Sequence, residues 1–174
     1  MKLRFLIPSL SMMVILSTVH SRALESQTSD NTVTVNRIAL HMKRAHVDRI
    51  LQLDGLIPLS ETTSTTTYTP GGAIVGVVAG PTVVYDSLNE VDEVFGISLR
   101  LGTKQIDFRE PASALFEVLG AGSFERVRVE LDNEYLVSPR FNLAIKLGIA
   151  GDERVIRHFR LCANRTRLYH RFIR

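Results

Sequence analysis

Two segments in the second half of the chain alternate apolar and polar residues, and this alternation constrains the fold more than any other feature of the sequence. Residues 124–131 (FERVRVEL) set four apolar side chains against charged ones, and residues 140–149 (RFNLAIKLGI) set five apolar side chains on one face. Successive side chains of a strand point to opposite faces, so these segments are strands with one face in a core and one in water. Half-polar strands of this kind are typical of antiparallel sheets.

Weaker patterns predict the other elements. They are a strand in residues 32–40, a helix in 40–53, a β-hairpin in 95–108, a short helix between Pro111 and Gly120, and a strand in 154–163. Residues 86–94 are predicted to be an acidic turn region, and residues 132–139 a loop. The sequence therefore predicts an α+β fold, a mostly antiparallel β-sheet packed by one or two short helices.

The N-terminus has the three parts of a secretory signal peptide. Lys2 and Arg4 make a charged start, about 15 mostly apolar residues follow, and Ser21–Ala23 supplies small residues for cleavage. The alternative is an uncleaved membrane anchor, but the apolar run is shorter than the roughly 20 residues that span a bilayer. We predict cleavage after Ala23, which removes residues 1–23 and leaves no transmembrane span. A flexible mature N-terminus at 24–31 and a single domain at 32–174 would remain.

Charge is distributed unevenly along the mature chain. The full chain has 21 basic and 18 acidic residues, and residues 1–23 hold three basic and no acidic ones, so the mature chain is balanced. Residues 24–151 are acidic, with 11 basic against 16 acidic side chains, whereas residues 152–174 hold seven arginines against two acidic residues. The sequence thus predicts an acidic body with a cationic end.

The Arg-rich C-terminal segment, residues 154–174, is the first candidate site. Six of its arginines are interleaved with aromatic residues, a pattern that suits binding to phosphates or to an anionic membrane. They are Arg157, Arg160, Arg165, Arg167, Arg171 and Arg174. The alternative is a terminal strand whose arginines pair with the acidic body.

The stretch TPGGAIVGVVAGPTVVY, residues 69–85, is the second candidate site. Gly72, Gly76 and Gly80 are spaced by four, which would place them on one side of a helix as in membrane or oligomer contacts. The ten residues between the flanking prolines make a helix of only about 15 Å, half of the roughly 30 Å hydrocarbon core. The pattern favours a buried strand in which glycine admits a close neighbour, with a membrane- or oligomer-facing element or a mobile loop as alternatives.

The Thr-rich stretch at residues 60–70 is predicted to be an exposed loop or an edge strand. It contains few apolar groups and many β-branched ones. We expect it to form, with the cationic segment, the working surface of the protein.

No residue pattern indicates catalysis, a cofactor or a metal. His41 and His46 are five apart and do not share a helix or strand face, and the acidic cluster of Glu90, Asp92 and Glu93 lacks the glycine and ligand ladder of a calcium loop. Serines lack the nucleophile-elbow pattern. The lone Cys162 allows no internal disulfide, and its setting favours a small buried residue in a strand over an intermolecular bridge.

The function predicted from the sequence is that of a small exported binding or interaction protein, non-enzymatic, in the periplasm or outside the cell. Its partner would be another envelope or extracellular protein, or an anionic surface that meets the C-terminal arginines; no nucleic acid is expected. One alternative is a membrane-active or self-assembling protein that uses the apolar stretch 71–85. The other is a small secreted hydrolase whose site the sequence does not reveal.

Overall fold

The computed structural model describes residues 32–71, 80–130 and 133–170. The strands in these residues are β1 (Val33–Val35), β2 (Leu56–Glu61), β3 (Thr65–Pro70), β4 (Thr82–Tyr85), β5 (Val91–Gly96), β6 (Ser98–Leu101), β7 (Lys104–Asp107), β8 (Glu125–Glu130), β9 (Asn133–Ser138), β10 (Leu143–Ala150) and β11 (Glu153–Cys162). The helices are α1 (Arg44–Leu53), α2 (Ala112–Leu119) and α3 (Arg165–His170). The predicted signal peptide lies outside the described residues.

The strands form two antiparallel sheets. The large sheet has eight strands in the order β2-β3-β4-β5-β11-β10-β9-β8, and the small sheet has three in the order β1-β6-β7. Since β11 returns to the middle of the large sheet, the last strand of the chain joins β5 to the β8–β10 meander. The prediction of a mostly antiparallel α+β fold is confirmed, with three short helices rather than one or two.

One face of the large sheet, here called the inner face, holds the main core. Val83, Ile145 and Phe159 of the large sheet are fully buried there. They belong to one cluster with Val47 of α1 and Leu115 of α2. The small sheet contributes Leu99 and Ile106 to the same cluster. Helices α1 and α2 and the small sheet therefore cover this face.

The opposite face of the large sheet, here called the outer face, carries a more polar row of side chains. Register aligns the row across strands β3, β4, β5, β11, β10 and β9 in the order Thr67, Thr82, Phe95, Arg160, Ala144 and Val137. Helix α3 covers one part of this face, where its Leu168 is buried against Val137, Ala144 and Cys162. Cys162 is thus a small buried residue in a strand, as the sequence favoured.

Local sequence signals locate several element ends correctly. Helix α1 ends at Leu53, before the predicted Asp54-Gly55 stop. Helix α2 begins after Pro111 and ends before Gly120, whose φ of +84° is a conformation that favours glycine. The predicted hairpin in residues 95–108 is present as β6 and β7. Among the described residues, no helix has the length and apolar character needed to cross a membrane.

The prediction of a loop or edge strand at residues 60–70 is wrong for most of that stretch. The chain forms the β2–β3 hairpin there, and β3 lies inside the sheet between β2 and β4. Thr66 and Tyr68 are each 1% exposed. Their hydroxyl groups contact Arg44 and Asp48 of α1, so these polar residues are buried with hydrogen-bond partners.

Two further connections are strands in the structure. Residues 133–138 form β9, which pairs with β8 and β10, so the predicted loop at 132–139 is wrong. In the predicted acidic turn region, only residues 86–90 precede the strand; β5 begins at Val91 and lies between β4 and β11. Glu93 is only 1% exposed, which contradicts its assignment to a solvated turn.

Candidate functional site

The C-terminal arginines do not form one surface. Arg157 and Arg160 belong to β11, whereas Arg165 and Arg167 belong to α3. Arg165 contacts the Oδ1 atom of Asn142, just before β10 begins, at 3.3 Å. Arg157 instead lies near Gly148, which follows Asn142 by six residues. Six residues of strand span about 20 Å, so Arg157 and Arg165 meet β10 at positions far apart. Arg171 and Arg174 lie outside the described residues.

Arg160 is an interior residue. It lies on the outer face of β11, is 3% exposed, and donates from Nε to the Oε1 atom of Glu93 on β5. Its guanidinium carbon also lies 5.4 Å from the centre of the Phe95 ring. The prediction that Arg160 belongs to an anion-binding surface is therefore wrong, because this guanidinium is buried beside a carboxylate.

Arg167 is also paired with the acidic body. Its Nη1 atom lies 2.5 Å from Oδ2 of Asp92, and it helps to hold α3 on the outer face. The hydroxyl of Tyr169 donates to Glu125 at 3.1 Å and adds a second contact at the far side of the helix. For Arg160 and Arg167, the structure agrees with the alternative in which tail arginines neutralise acidic residues.

Arg157 differs from these because it meets no carboxylate in the described part of the chain. It is the extra residue of a β-bulge, since Lys146 pairs with His158 and Leu147 pairs with Ile156. Its side chain crosses Gly148, where a Cβ atom would overlap with the Arg157 Nε atom. Its Nη2 atom donates to the carbonyl oxygen of Ile149 at 2.9 Å. A glycine at 148 therefore allows this arginine to lie along the sheet.

The bulge places the Arg157 side chain on the outer face, which also carries two other nitrogen-bearing side chains. Lys146 shares that face with Gly148, because residues two apart on a strand point the same way, and His158 lies directly opposite Lys146. Directly opposite side chains of an antiparallel pair have Cβ atoms about 5 Å apart. We call Lys146, Arg157 and His158 the cationic strip. All three are half-buried, and no carboxylate of the described residues is within ion-pair distance of them.

His158 is neutral at physiological pH. Burial, together with the positive charges of Lys146 and Arg160, lowers the pKa of His158 from 6.5 to about 4. On the next strand, β9, the residue opposite Lys146 is Tyr135, which is not acidic. The strip therefore holds two basic side chains and one imidazole that an added anion would help to protonate.

A second polar cluster joins α1 to the inner face. The Tyr68 hydroxyl donates to Oδ1 of Asp48 at 2.5 Å and lies 3.2 Å from the Tyr85 hydroxyl, and the Arg44 guanidinium lies 4.9 Å from the centre of the Tyr85 ring. Burial raises the pKa of both phenols, and the hydrogen bond to Asp48 raises that of Tyr68 further. The phenols therefore remain protonated, and the cluster acts as a polar anchor for the helix.

The remaining candidate residues are not brought together into a catalytic or metal arrangement in the described part of the chain. His41 and His46 are exposed, and no group of three or more metal-ligating side chains was found among the described residues. Burial, assisted by the negative charge of Glu93, raises the pKa of the Cys162 thiol. That thiol is therefore a poor nucleophile.

Gly80 is the only member of the predicted glycine set that lies in the described residues. Its N–H donates to the Tyr68 carbonyl oxygen at 2.8 Å, and an added Cβ would lie 2.6 Å from that oxygen. Glycine is therefore required here by a neighbouring backbone. The prediction of one buried strand through this stretch is wrong, because β3 ends at Pro70, β4 begins at Thr82, and these two strands pair antiparallel. Gly72 and Gly76 lie outside the described residues.

Comparisons of this chain with protein-family models, curated proteins and solved structures found no match. The chemistry of the strip is therefore inferred from its own residues. Sequence reasoning missed Lys146 and His158 as members of a surface, because each is isolated in its own segment. The pairing of residues 140–149 with 154–163 as a hairpin would have placed the two side chains on one face.

Proposed function

We propose that the protein is an exported, non-enzymatic binding protein that holds an anionic partner on its cationic strip. The observation that carries this proposal is the placement of Lys146, Arg157 and His158 on one sheet face, with no carboxylate of the described residues within ion-pair distance. Their strands lie inside the eight-stranded sheet, so the backbone that presents them is rigid. An anion at this position would supply the counter-charge that the described residues do not.

Some other basic groups are poorer sites for an anion, because acidic side chains already neutralise them. Several exposed basic groups are already paired with acidic ones, as Arg37 is with Asp54 and Lys43 is with Glu90. Such groups gain little from an external anion, because their own carboxylates compete for them. Lys146 and Arg157 have no competitor of this kind in the structure that is described. The strip is therefore a better candidate than the C-terminal arginines as a set, because Arg160 and Arg167 of that set are already paired with Glu93 and Asp92.

Neutralising the strip should weaken binding to an anionic surface. Each lysine or arginine near a charged membrane contributes about 1 kcal/mol, so Lys146→Gln with Arg157→Gln should lower affinity by about thirtyfold. The measurement is co-sedimentation of the mature protein with vesicles that contain phosphatidylglycerol, at low salt. Salt should weaken the wild-type interaction, since screening shortens to about 3 Å at 1 M.

The matched control changes the same charge elsewhere. Arg49→Gln with Lys104→Gln removes two exposed cations that lie outside the strip. This variant should bind nearly as well as the wild type. Equal losses in both double variants would show that only net charge matters, and no sedimentation of the wild type at low salt would reject the proposal.

A second candidate function, a membrane-active or self-assembling protein, is favoured by an exposed apolar group. Leu53 at the end of α1 is 75% exposed, and Ile57 and Leu59 of the edge strand β2 are 50% and 45% exposed. Pro58 and the bulge beside it make that edge a poor template for strand addition, so contact would be through side chains. Binding to neutral vesicles that resists salt would favour this candidate over the cationic strip.

Export is the part of the proposal that the N-terminal sequence supports. The charged start, apolar run and small residues of residues 1–23 predict a mature chain that begins at Leu24. Mass spectrometry of the protein recovered from the extracytoplasmic fraction should give the mass of residues 24–174. An intact Met1 terminus in that fraction would show that the segment is not removed.

A further inference from the structure

The groups around His158 differ from those around an ordinary surface histidine. Lys146 faces it from β10, Arg157 and Arg160 flank it on β11, and the nearest acidic residue on β5, Glu93, already binds Arg160. On β9, Tyr135 lies beyond Lys146. The described groups that face the imidazole are therefore cationic or uncharged, and protonating it without an anion brings a third positive charge into the strip.

We propose that the strip binds a phosphodiester-type oxyanion together with one proton, which His158 takes up as the anion binds. This inference rests on the proposed function and adds to it the chemistry of the ligand and its regulation by pH. A tetrahedral oxyanion has several acceptor oxygens, so it can receive hydrogen bonds from the Lys146 ammonium, the Arg157 guanidinium and the imidazolium at once. The proton comes from solvent, and no covalent bond changes.

The direction of the pH effect follows from linkage. A bound anion favours the charged imidazolium, so the pKa of His158 is higher in the complex than in the free protein, where it is about 4. Between those two values, binding takes up a proton, and lowering the pH strengthens binding. Above the higher value the imidazole stays neutral in both states, and Lys146 and Arg157 alone hold the anion.

The test compares vesicle binding at two pH values. A phosphodiester keeps its single charge across this range, so phosphatidylglycerol vesicles are a suitable probe. Each unit of pKa increase corresponds to up to about tenfold in affinity, and we expect the wild type to bind about tenfold more tightly near pH 5 than near pH 7.5. His158→Gln should lose most of this ratio, whereas His46→Gln, at an exposed position of α1, should keep it.

A second measurement does not depend on vesicles. Nuclear magnetic resonance should show the His158 ring proton titrating at higher pH when dimethyl phosphate, a soluble phosphodiester, is added to the full mature chain. A response to both probes assigns recognition to the phosphodiester group, and a response to vesicles alone assigns it to headgroups within a membrane. Circular dichroism at each pH confirms that the variants remain folded.

The possible outcomes distinguish a failure of the proton-linked mechanism from a failure of the proposed binding function. If the wild type binds vesicles, and the Lys146 and Arg157 double variant loses that binding, but His158→Gln keeps the full pH ratio, the proton-linked mechanism is wrong and the binding function stands. If the wild type binds neither probe at either pH, both are wrong.

Discussion

Replacing Glu93 with glutamine is expected to destabilise the protein by about 3 to 5 kcal/mol, the cost of breaking a buried ion pair by removing one partner. Glu93 and Arg160 lie on adjacent strands in the middle of the large sheet, and their side chains are 1% and 4% exposed. The amide leaves the buried guanidinium without the charge of the Glu93 carboxylate. Urea unfolding followed by circular dichroism measures the loss.

A double replacement distinguishes the charge effect from a packing effect. Glu93→Leu with Arg160→Met removes both charges and keeps similar volumes, so it should recover most of the stability lost in Glu93→Gln. An exposed pair serves as the control: Asp54→Asn, which removes the partner of Arg37, should cost no more than about 1 kcal/mol. A midpoint for Glu93→Gln close to that of the wild type would show that the pair does not stabilise the fold.

The sequence predicted best those strands that have one polar and one apolar face. Segments 124–131 and 140–149 were recognised because their apolar residues alternate with charged ones, and they correspond to β8 and β10. Strand β9 was missed because its residues Tyr135, Leu136 and Val137 are apolar on both faces. Leu136 joins the inner core, while Val137 belongs to the cluster under α3. A strand covered on both sides lacks the alternating pattern.

Polar residues were misplaced where their partners are distant in sequence. Glu93 was assigned to a solvated turn, yet its arginine partner comes 67 residues later. Thr66 and Tyr68 were expected to be exposed, yet α1 supplies Arg44 and Asp48 to bind their hydroxyl groups. From the local sequence, burying such polar groups looks unfavourable. The local sequence does not reveal the distant side chains whose hydrogen bonds and charges make their burial possible. Buried polar contacts of this kind can be assigned only after the topology is known.

The candidate site was only partly predictable, because it too depends on residues that are distant from one another in sequence. The excess of arginine after residue 151 predicted a cationic surface, and the structure places Arg157 on the same sheet face as Lys146. The pattern gave no way to separate Arg157 from Arg160, because only the register shows that Glu93 lies beside the second of them. The bulge that turns Arg157 over Gly148 depends on the pairing of β10 with β11. The amino-acid composition therefore predicted a positive charge for the C-terminal segment. Strand pairing determines which of its arginines remain available at the sheet face.

The second large effect that we expect is a loss of stability in acid that depends on His158. The pKa of His158 is about 4 in the folded protein, below the ordinary value of 6.5 that applies to the unfolded chain. Between these values the unfolded chain binds a proton at this residue and the folded protein does not, so stability falls as the pH falls from about 6.5 to about 4. The difference amounts to about 3 kcal/mol, since one pKa unit is about 1.4 kcal/mol.

Comparison of His158→Gln with the wild type isolates this contribution from that of the carboxylates, which also weaken the fold in acid. Urea midpoints near pH 7.5 and pH 4.5 should show that the wild type loses about 2 to 3 kcal/mol more than His158→Gln over this range. His46→Gln, at an exposed position of α1, should follow the wild type. Equal losses in the wild type and His158→Gln would mean that burial and the charges of Lys146 and Arg160 do not hold the imidazole neutral. Because an anion on the cationic strip favours the protonated ring, adding a phosphodiester near pH 5 should restore part of the stability of the wild type and leave His158→Gln less changed.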